Sequence, residues 1–339
     1  MLMLVVLTVS AALLFDVING FHDATNSIAT VVSTRVLKPL TAVVWAAFFN
    51  FVAMFFFAPL VADTISNIVI IDPQDSLYVF VVLFGLAGAI IWDLATWWLK
   101  LPTSSSHALI GGFAGAGIAH GGLNALHWDT LVKIFLFIFV APIMGFILGV
   151  AFMLALYWLF QKWHPHAIDR LFRKGQLISA ALYSIGHGAN DAQKTMGVIM
   201  ALLYAASYLP LEAQLSLKDG RTAWIIISCH AAMALGTALG GWRIVKTMGM
   251  RITKLEPVNG FCAESAGTCT LYLATFYGIP VSTTHTIIGS IIGVGSLKNK
   301  NSAVRWDIAG SIIWAWIITI PFSGILSGVI YLLYIKTLR

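Results

Sequence analysis

Of 339 residues, 59% are hydrophobic and only 10% charged, against about 25% charged in an ordinary soluble domain. That balance excludes a soluble globular chain and predicts an all-α polytopic membrane protein. The net charge of +6 falls between apolar runs, where it reads as a topology signal, so no nucleic-acid partner is expected.

In chain order, apolar runs predict membrane segments near residues 2–34, 39–62, 77–99, 104–119 and 130–160, then 177–204, 222–241, 257–277, 282–296 and 306–335. The first and sixth are interrupted by polar motifs. The segments 104–119 and 282–296 are short and Gly-rich, and read either as crossings or as re-entrant hairpins. Residues 1–18 are apolar without a basic leader, so the first span is expected to stay in the mature protein. Hydrophilic stretches at 161–176 and 212–222 read as linkers. The chain is therefore divided into a first transmembrane repeat (1–160), a basic cytoplasmic linker (161–176) and a second repeat (177–339). About five segments per half is an odd number, which turns the second copy upside down. With the amino terminus outside, fourteen of the twenty basic residues fall on the inner side, Arg170, Arg173 and Lys174 among them, as the positive-inside rule requires. Cys229, Cys262 and Cys269 share no metal-ligand spacing and are expected to be buried thiols.

Two motifs occur twice. Gly20-Phe21-His22-Asp23-Ala24-Thr25-Asn26 is matched by Gly188-Ala189-Asn190-Asp191-Ala192-Gln193-Lys194. Likewise Pro102-Thr103-Ser104-Ser105-Ser106-His107 is matched by Pro280-Val281-Ser282-Thr283-Thr284-His285. Asp23 and Asp191 are 168 residues apart, His107 and His285 178, so ten residues are inserted in the second half, most simply in the loop near 205–221.

A carboxylate at mid-membrane costs about 2.5–3.5 kcal/mol on insertion scales and is tolerated where it meets a proton, a cation or a polar cavity. Asp23 and Asp191 are thus coupling-ion candidates that also face substrate, and Gly20, Gly188, Asn26 and Asn190 suit helices that unwind there. Ser104, Ser105, Ser106, Ser282, Thr283 and Thr284 stand at predicted helix starts, where hydroxyls and free amides make an anion cradle without basic side chains. Ordinary helix capping is the alternative reading. His107 is adjacent to Ser106, and neighbours on a helix do not face each other, so His107 and His285 read as hydrogen-bonding supports, not catalytic bases. Acids beside an anion cradle make sense once a coupling cation is added, which is the physical basis of symport.

These motifs, with the stretch 241–249 (Gly-Trp-Arg-Ile-Val-Lys-Thr-Met-Gly), resemble the inorganic phosphate transporter (PiT) family, and the resemblance covers nearly the whole chain. It implies a bacterial low-affinity phosphate permease in the cytoplasmic membrane. It further implies two inverted repeats with discontinuous helices, homodimeric assembly, and uptake of inorganic phosphate coupled to sodium or protons. By motif position, Asp23, Asn26, Asn190 and Asp191 lie near substrate and co-ion, and Ser104, Ser105, Ser282 and Thr283 hold the phosphate. Sodium-coupled members tend to carry a neutral residue where Lys194 stands. An ammonium there can take a sodium ion's electrostatic role, which favours protons as the coupling species. No cofactor and no metal beyond sodium is expected. Arsenate and metal-phosphate complexes remain alternative cargoes alongside lipid as surroundings.

A sulfate permease is the near rival, since the cradle meets a tetrahedral oxyanion either way. Phosphate at neutral pH carries a proton that a carboxylate can accept, whereas sulfate meets bare repulsion. A passive anion channel has little use for paired acids. An intramembrane hydrolase lacks a motif such as His-Glu-x-x-His, and no enzyme is expected.

Overall fold

The computed structural model of the chain describes residues 1–70, 75, 77–240, 252–297 and 304–338. The 241–249 motif and some of the fourteen basic residues placed on the inner side, Arg251, Lys298 and Lys300 among them, lie outside the described residues, so nothing is added to their sequence reading. The described residues form eleven α-helices and no sheet. They are α1 (Leu2–Ser33), α2 (Pro39–Val52), α3 (Leu60–Ser66), α4 (Tyr78–Trp98), α5 (Ser105–Gly121), α6 (Trp128–Phe160), α7 (Pro165–Ala205), α8 (Ala223–Leu239), α9 (Pro257–Phe276), α10 (Thr283–Ser296) and α11 (Trp306–Leu338).

Four of these (α1, α4, α6 and α11) are long and apolar enough to cross a membrane, and α2 with the residues to Phe55 forms a broken pair with α3, bent by 86°. The outward faces of α6 and α11 are apolar and exposed, with Phe139, Trp158, Trp314 and Ile325 pointing away from the bundle, as lipid contact demands.

The expected unwinding at the polar motifs does not occur. α1 and α7 run unbroken through Gly20 and Gly188, and the glycines serve close packing instead. A Cβ on Gly20 would stand 2.3 Å from the Met233 carbonyl oxygen of α8, and one on Gly188 would stand 2.5 Å from the Asn50 oxygen of α2. Each motif helix therefore crosses a partner at backbone contact, and Asn50 Nδ2 ties the two partners together by donating to Thr237 Oγ1 at 2.8 Å. Packing saves the helix here, because a continuous ladder leaves no backbone group unpaired in the apolar interior.

The breaks fall elsewhere, between α4 and α5 and between α9 and α10. The two turns are built alike. Lys100 and Gly278, 178 residues apart, take left-handed conformations with φ of 62° and 67°. Leu101 N then bonds to Thr96 O and Ile279 N to Ala274 O, at 3.0 and 2.8 Å, the closing bond of a Schellman turn. Pro102 and Pro280 follow and prevent the helix from resuming at once.

The halves exchange their last helices. α11 packs on α4 and α5, while α6 packs on α9 and α10. The stretch 165–176, expected as linker, is the beginning of α7, and the 176/177 boundary falls inside that helix. Part of the ten-residue insertion is helical as well, since α7 runs fourteen residues beyond Asp191 where α1 runs ten beyond Asp23. Cys229 and Cys262 are buried but Cys269 is exposed, which corrects the expectation of three buried thiols: it lies on an outward face of α9.

Candidate functional site

The starts of α5 and α10 are fixed by matching caps. Ser104 Oγ accepts from His107 N at 3.3 Å and Ser282 Oγ from His285 N at 3.2 Å. Those two hydroxyls are engaged as N-caps. The free N–H groups of the first turn then belong to Ser105 and Ser106 on one side and Thr283 and Thr284 on the other, because a helix start leaves its early amides without partners inside the helix. The two starts converge. The His107 and His285 rings meet edge to face at 4.4 Å, and His285 stacks on Trp316 of α11 at 3.6 Å. These histidines thus act as a packed ring pair between the helix starts.

Asp23 and Asp191 enter this junction from α1 and α7. Both are at most 2% exposed. Asp23 accepts from Ser105 Oγ at 3.0 Å and Thr284 Oγ1 at 3.5 Å, so it bridges the two helix starts. Asp191 accepts from Thr283 Oγ1 at 3.1 Å. Asn26 donates to both Thr283 and Thr284, at 3.1 and 2.9 Å. At the matching position of the second half, Lys194 Nζ donates to Asp191 Oδ1 at 2.5 Å, Ser106 Oγ at 2.6 Å and the Val281 carbonyl at 2.7 Å. Asn190 braces the second break, donating to Thr275 Oγ1 and Ile279 O and accepting from Val281 N. Every residue named in advance, apart from the two capping serines and the packing glycines and histidines, is brought into one connected polar junction.

Several members of that junction were not singled out by sequence. His22 Nδ1 lies 2.8 Å from Asp23 Oδ1, and His187 Nε2 lies 3.1 Å from Asp191 Oδ2 while its Nδ1 faces Ser27 Oγ at 3.1 Å. Asn19 Oδ1 accepts from Ser105 Oγ at 2.5 Å. A signal for two of these existed: Asn19 and His187 each stand one helical turn before the acid of their own half, at the same 168-residue offset. Another buried carboxyl, Glu264 of α9, is held by Gln176 Nε2 at 3.0 Å and by Ser179 Oγ, and Gln176 Oε1 in turn accepts from Thr34 Oγ1 at 2.8 Å. It lacks a counterpart in the first half, where Leu86 stands, so the duplication could not point to it.

Chemically, the junction offers an anion the free amides of two helix starts and the Ser106 hydroxyl, which accepts from Lys194 and keeps its own hydrogen. The hydroxyls of Ser105, Thr283 and Thr284 donate to Asn19, Asp23 and Asp191 as the site stands, and the acids are open to a cation. One ligand atom each from Asp23, His187 and Asp191 lie within 4.8 Å of one another, all buried, a spacing that suits one small cation or shared proton. Lys194 compensates Asp191, whereas Asp23 meets the His22 imidazole and hydroxyl donors but no ammonium among the described residues.

An all-helical bundle with its acids and hydroxyls folded into one central junction, beneath apolar outer helices, has the architecture of a multi-pass membrane protein. Residues 19–327 match the family model described as the phosphate transporter family, and the chain belongs to that family. A probable low-affinity inorganic phosphate transporter of Rhizobium meliloti is 51% identical, over 95% of this chain and 94% of that one. One of the same description from Bacillus subtilis is 42% identical, over 98% and 97%. A putative phosphate permease of Pyrococcus furiosus is 28% identical, over 92% of each. Among solved structures, a sodium-dependent phosphate transporter superposes with a TM-score of 0.87 over 99% of both chains at 22% identity, which establishes likeness of fold.

Proposed function

We propose that this chain is a symporter that imports inorganic phosphate by alternating access, with the anion held between the starts of α5 and α10. The observation that carries this reading is the meeting of Ser105, Ser106, Thr283 and Thr284 with two buried acids at one point. Helix starts favour anions through their free amides and the positive end of the dipole. The nearby acids repel the anion until a cation or proton joins it, which makes binding of the two mutually dependent. An ionised carboxylate also accepts the proton that phosphate carries and sulfate lacks, favouring phosphate, with arsenate as a competitor of like shape and charge.

Protons are the favoured coupling species. Lys194 occupies the space beside Asp191 that a metal cation would otherwise fill, and a proton suffices for Asp23, which has no ammonium partner among the described residues. The Asp23, His187 and Asp191 cluster gives sodium coupling its own footing, although imidazole is a poor match to a hard cation. The recurrence of contacts at fixed offsets supports two repeats; their inversion, the homodimer and the bacterial cytoplasmic membrane are what the family resemblance implies. The test is uptake of radiolabelled phosphate and sulfate by the purified protein in liposomes under separately imposed proton and sodium gradients. Phosphate accumulation driven by the proton gradient is expected; accumulation driven by sodium and indifferent to pH would reverse the coupling assignment.

A further inference from the structure

Seven residues before Asp23, and about 10 Å from it along α1, stands a third acid that the duplicated site does not use. Asp16 is completely buried, and neither carboxylate oxygen has a hydrogen-bond partner among the described residues. Thr195 and Asn19 flank the carboxyl without closing a bond of normal geometry, and the charged groups acting on it are Asp191 and Lys194 of α7. Cys229 of α8 lies close enough to feel its charge. Thr195 Oγ1 is itself buried without a partner.

A bare carboxylate in such a place is untenable, because burial of an unpaired charge costs far more than a fold can offset. Something must neutralise Asp16 for at least part of the transport cycle. A metal ion needs several oxygen ligands in a shell, and among the described residues the polar side chains that flank this carboxyl are Thr195 and Asn19, the latter already bonded to Ser105. Around it lie Ala12, Phe15, Cys229 and Met233 in one apolar cluster. A proton needs no shell.

The position is also asymmetric. Its counterpart in the second half is Ser184, whose hydroxyl simply caps the Ala180 carbonyl at 2.8 Å. Likewise the counterpart of Lys194 is the neutral Asn26. Two departures from the duplication, one acid and one base, thus act on each other across the α1–α7 contact, with Thr195 one residue beyond Lys194. We infer that Asp16 is a second proton-binding site of the transporter, loaded from the amino-terminal end of α1 and linked through Thr195 and Asn19 to the Asp191–Lys194 pair and to Asp23. On the charge-derived orientation that end is outside, so Asp16 receives the proton before the central junction does.

This inference rests on proton coupling, and the experiment separates the two. The full chain, its Asp16→Asn variant and its Asp16→Glu variant are reconstituted in liposomes, and phosphate accumulation is measured against external pH and, separately, against a sodium gradient. Infrared difference spectra between high and low pH are recorded on the same samples. A phosphate-dependent rise in unfolding temperature reports that each variant is folded. Asp16→Asn is expected to lose proton-driven accumulation by tenfold or more, to flatten the external pH profile, and to lack one protonated-carboxyl band present in the parent. Asp16→Glu should restore a pH dependence and a carboxyl band, both displaced. A folded Asp16→Asn variant with the parental pH profile and the full set of carboxyl bands would overturn the assignment. If the parent itself ignores the proton gradient, coupling fails in the parental arm, and a carboxyl band missing only from Asp16→Asn would still identify the residue as a protonated site.

Discussion

At the scale of single residues, the duplicated acids are the most exposed to test. Asp23→Asn and Asp191→Asn each remove the negative charge while keeping the side-chain shape, and each should abolish gradient-driven phosphate uptake with normal amounts of protein in the membrane. Retained accumulation would detach them from the co-ion. The hydroxyls divide into two kinds. Thr283→Ala deletes a hydroxyl that donates to Asp191 as the site stands and that would turn to the anion on binding, so apparent phosphate affinity should fall by about 1.5–3 kcal/mol, the range for hydrogen bonds to charged groups. Ser282→Ala deletes a cap and should lower stability by about 1 kcal/mol with a much smaller effect on affinity, measurable by thermal unfolding beside uptake kinetics. Lys194→Asn recreates in the second half the residue found at position 26, and should raise the sodium stimulation of uptake above the parent's. Asp23, Asp191, Ser105 and Thr283 were legible because a costly residue occurring twice at matched positions has few bland explanations. His22 and Asp16 were not: a lone histidine or acid beside a motif carries no spacing to read, and their meaning comes from which helix lies across from them.

At the scale of elements, glycine misled. Gly in an apolar helix can mark a break or a close crossing, and the sequence of α1 around Gly20 fits both. The structure resolves it through Met233 and Asn50, whose carbonyls leave no room for a methyl group. Gly20→Val and Gly188→Val should therefore lower the unfolding temperature and the yield of monodisperse protein, through displaced α8 and α2 respectively. An unchanged unfolding temperature would mean that those helices are free to move apart. The true breaks were legible, since proline followed by a run of hydroxyl residues stops one helix and caps the next. The bend between α2 and α3 was not read, although Pro59 stands directly before α3: without a following run of hydroxyl residues, one proline inside an apolar run did not separate a bend from a continuous span.

At the scale of the whole molecule, the exchange of α6 and α11 between halves makes each half depend on the other. α6 covers α10, and α11 covers α5, so a half alone would leave the short Gly-rich helices without their apolar cover. Fragments cut at the turn near residues 161–164 should reassemble on co-expression into one extractable complex, and each alone should be degraded or aggregate, as membrane yield and size-exclusion profiles would show. Hydropathy could announce the number of apolar runs but not this pairing, because lipid-facing and helix-facing residues on α6 and α11 are equally apolar. The exchange is also what brings both helix starts to one point, on which the functional reading depends. Density for the anion in an experimental map of the phosphate-bound protein tests that most directly. The oxyanion should lie within hydrogen-bonding distance of Ser105, Ser106, Thr283 and Thr284 and beside Asp23 and Asp191; an anion seated away from those helix starts would contradict it.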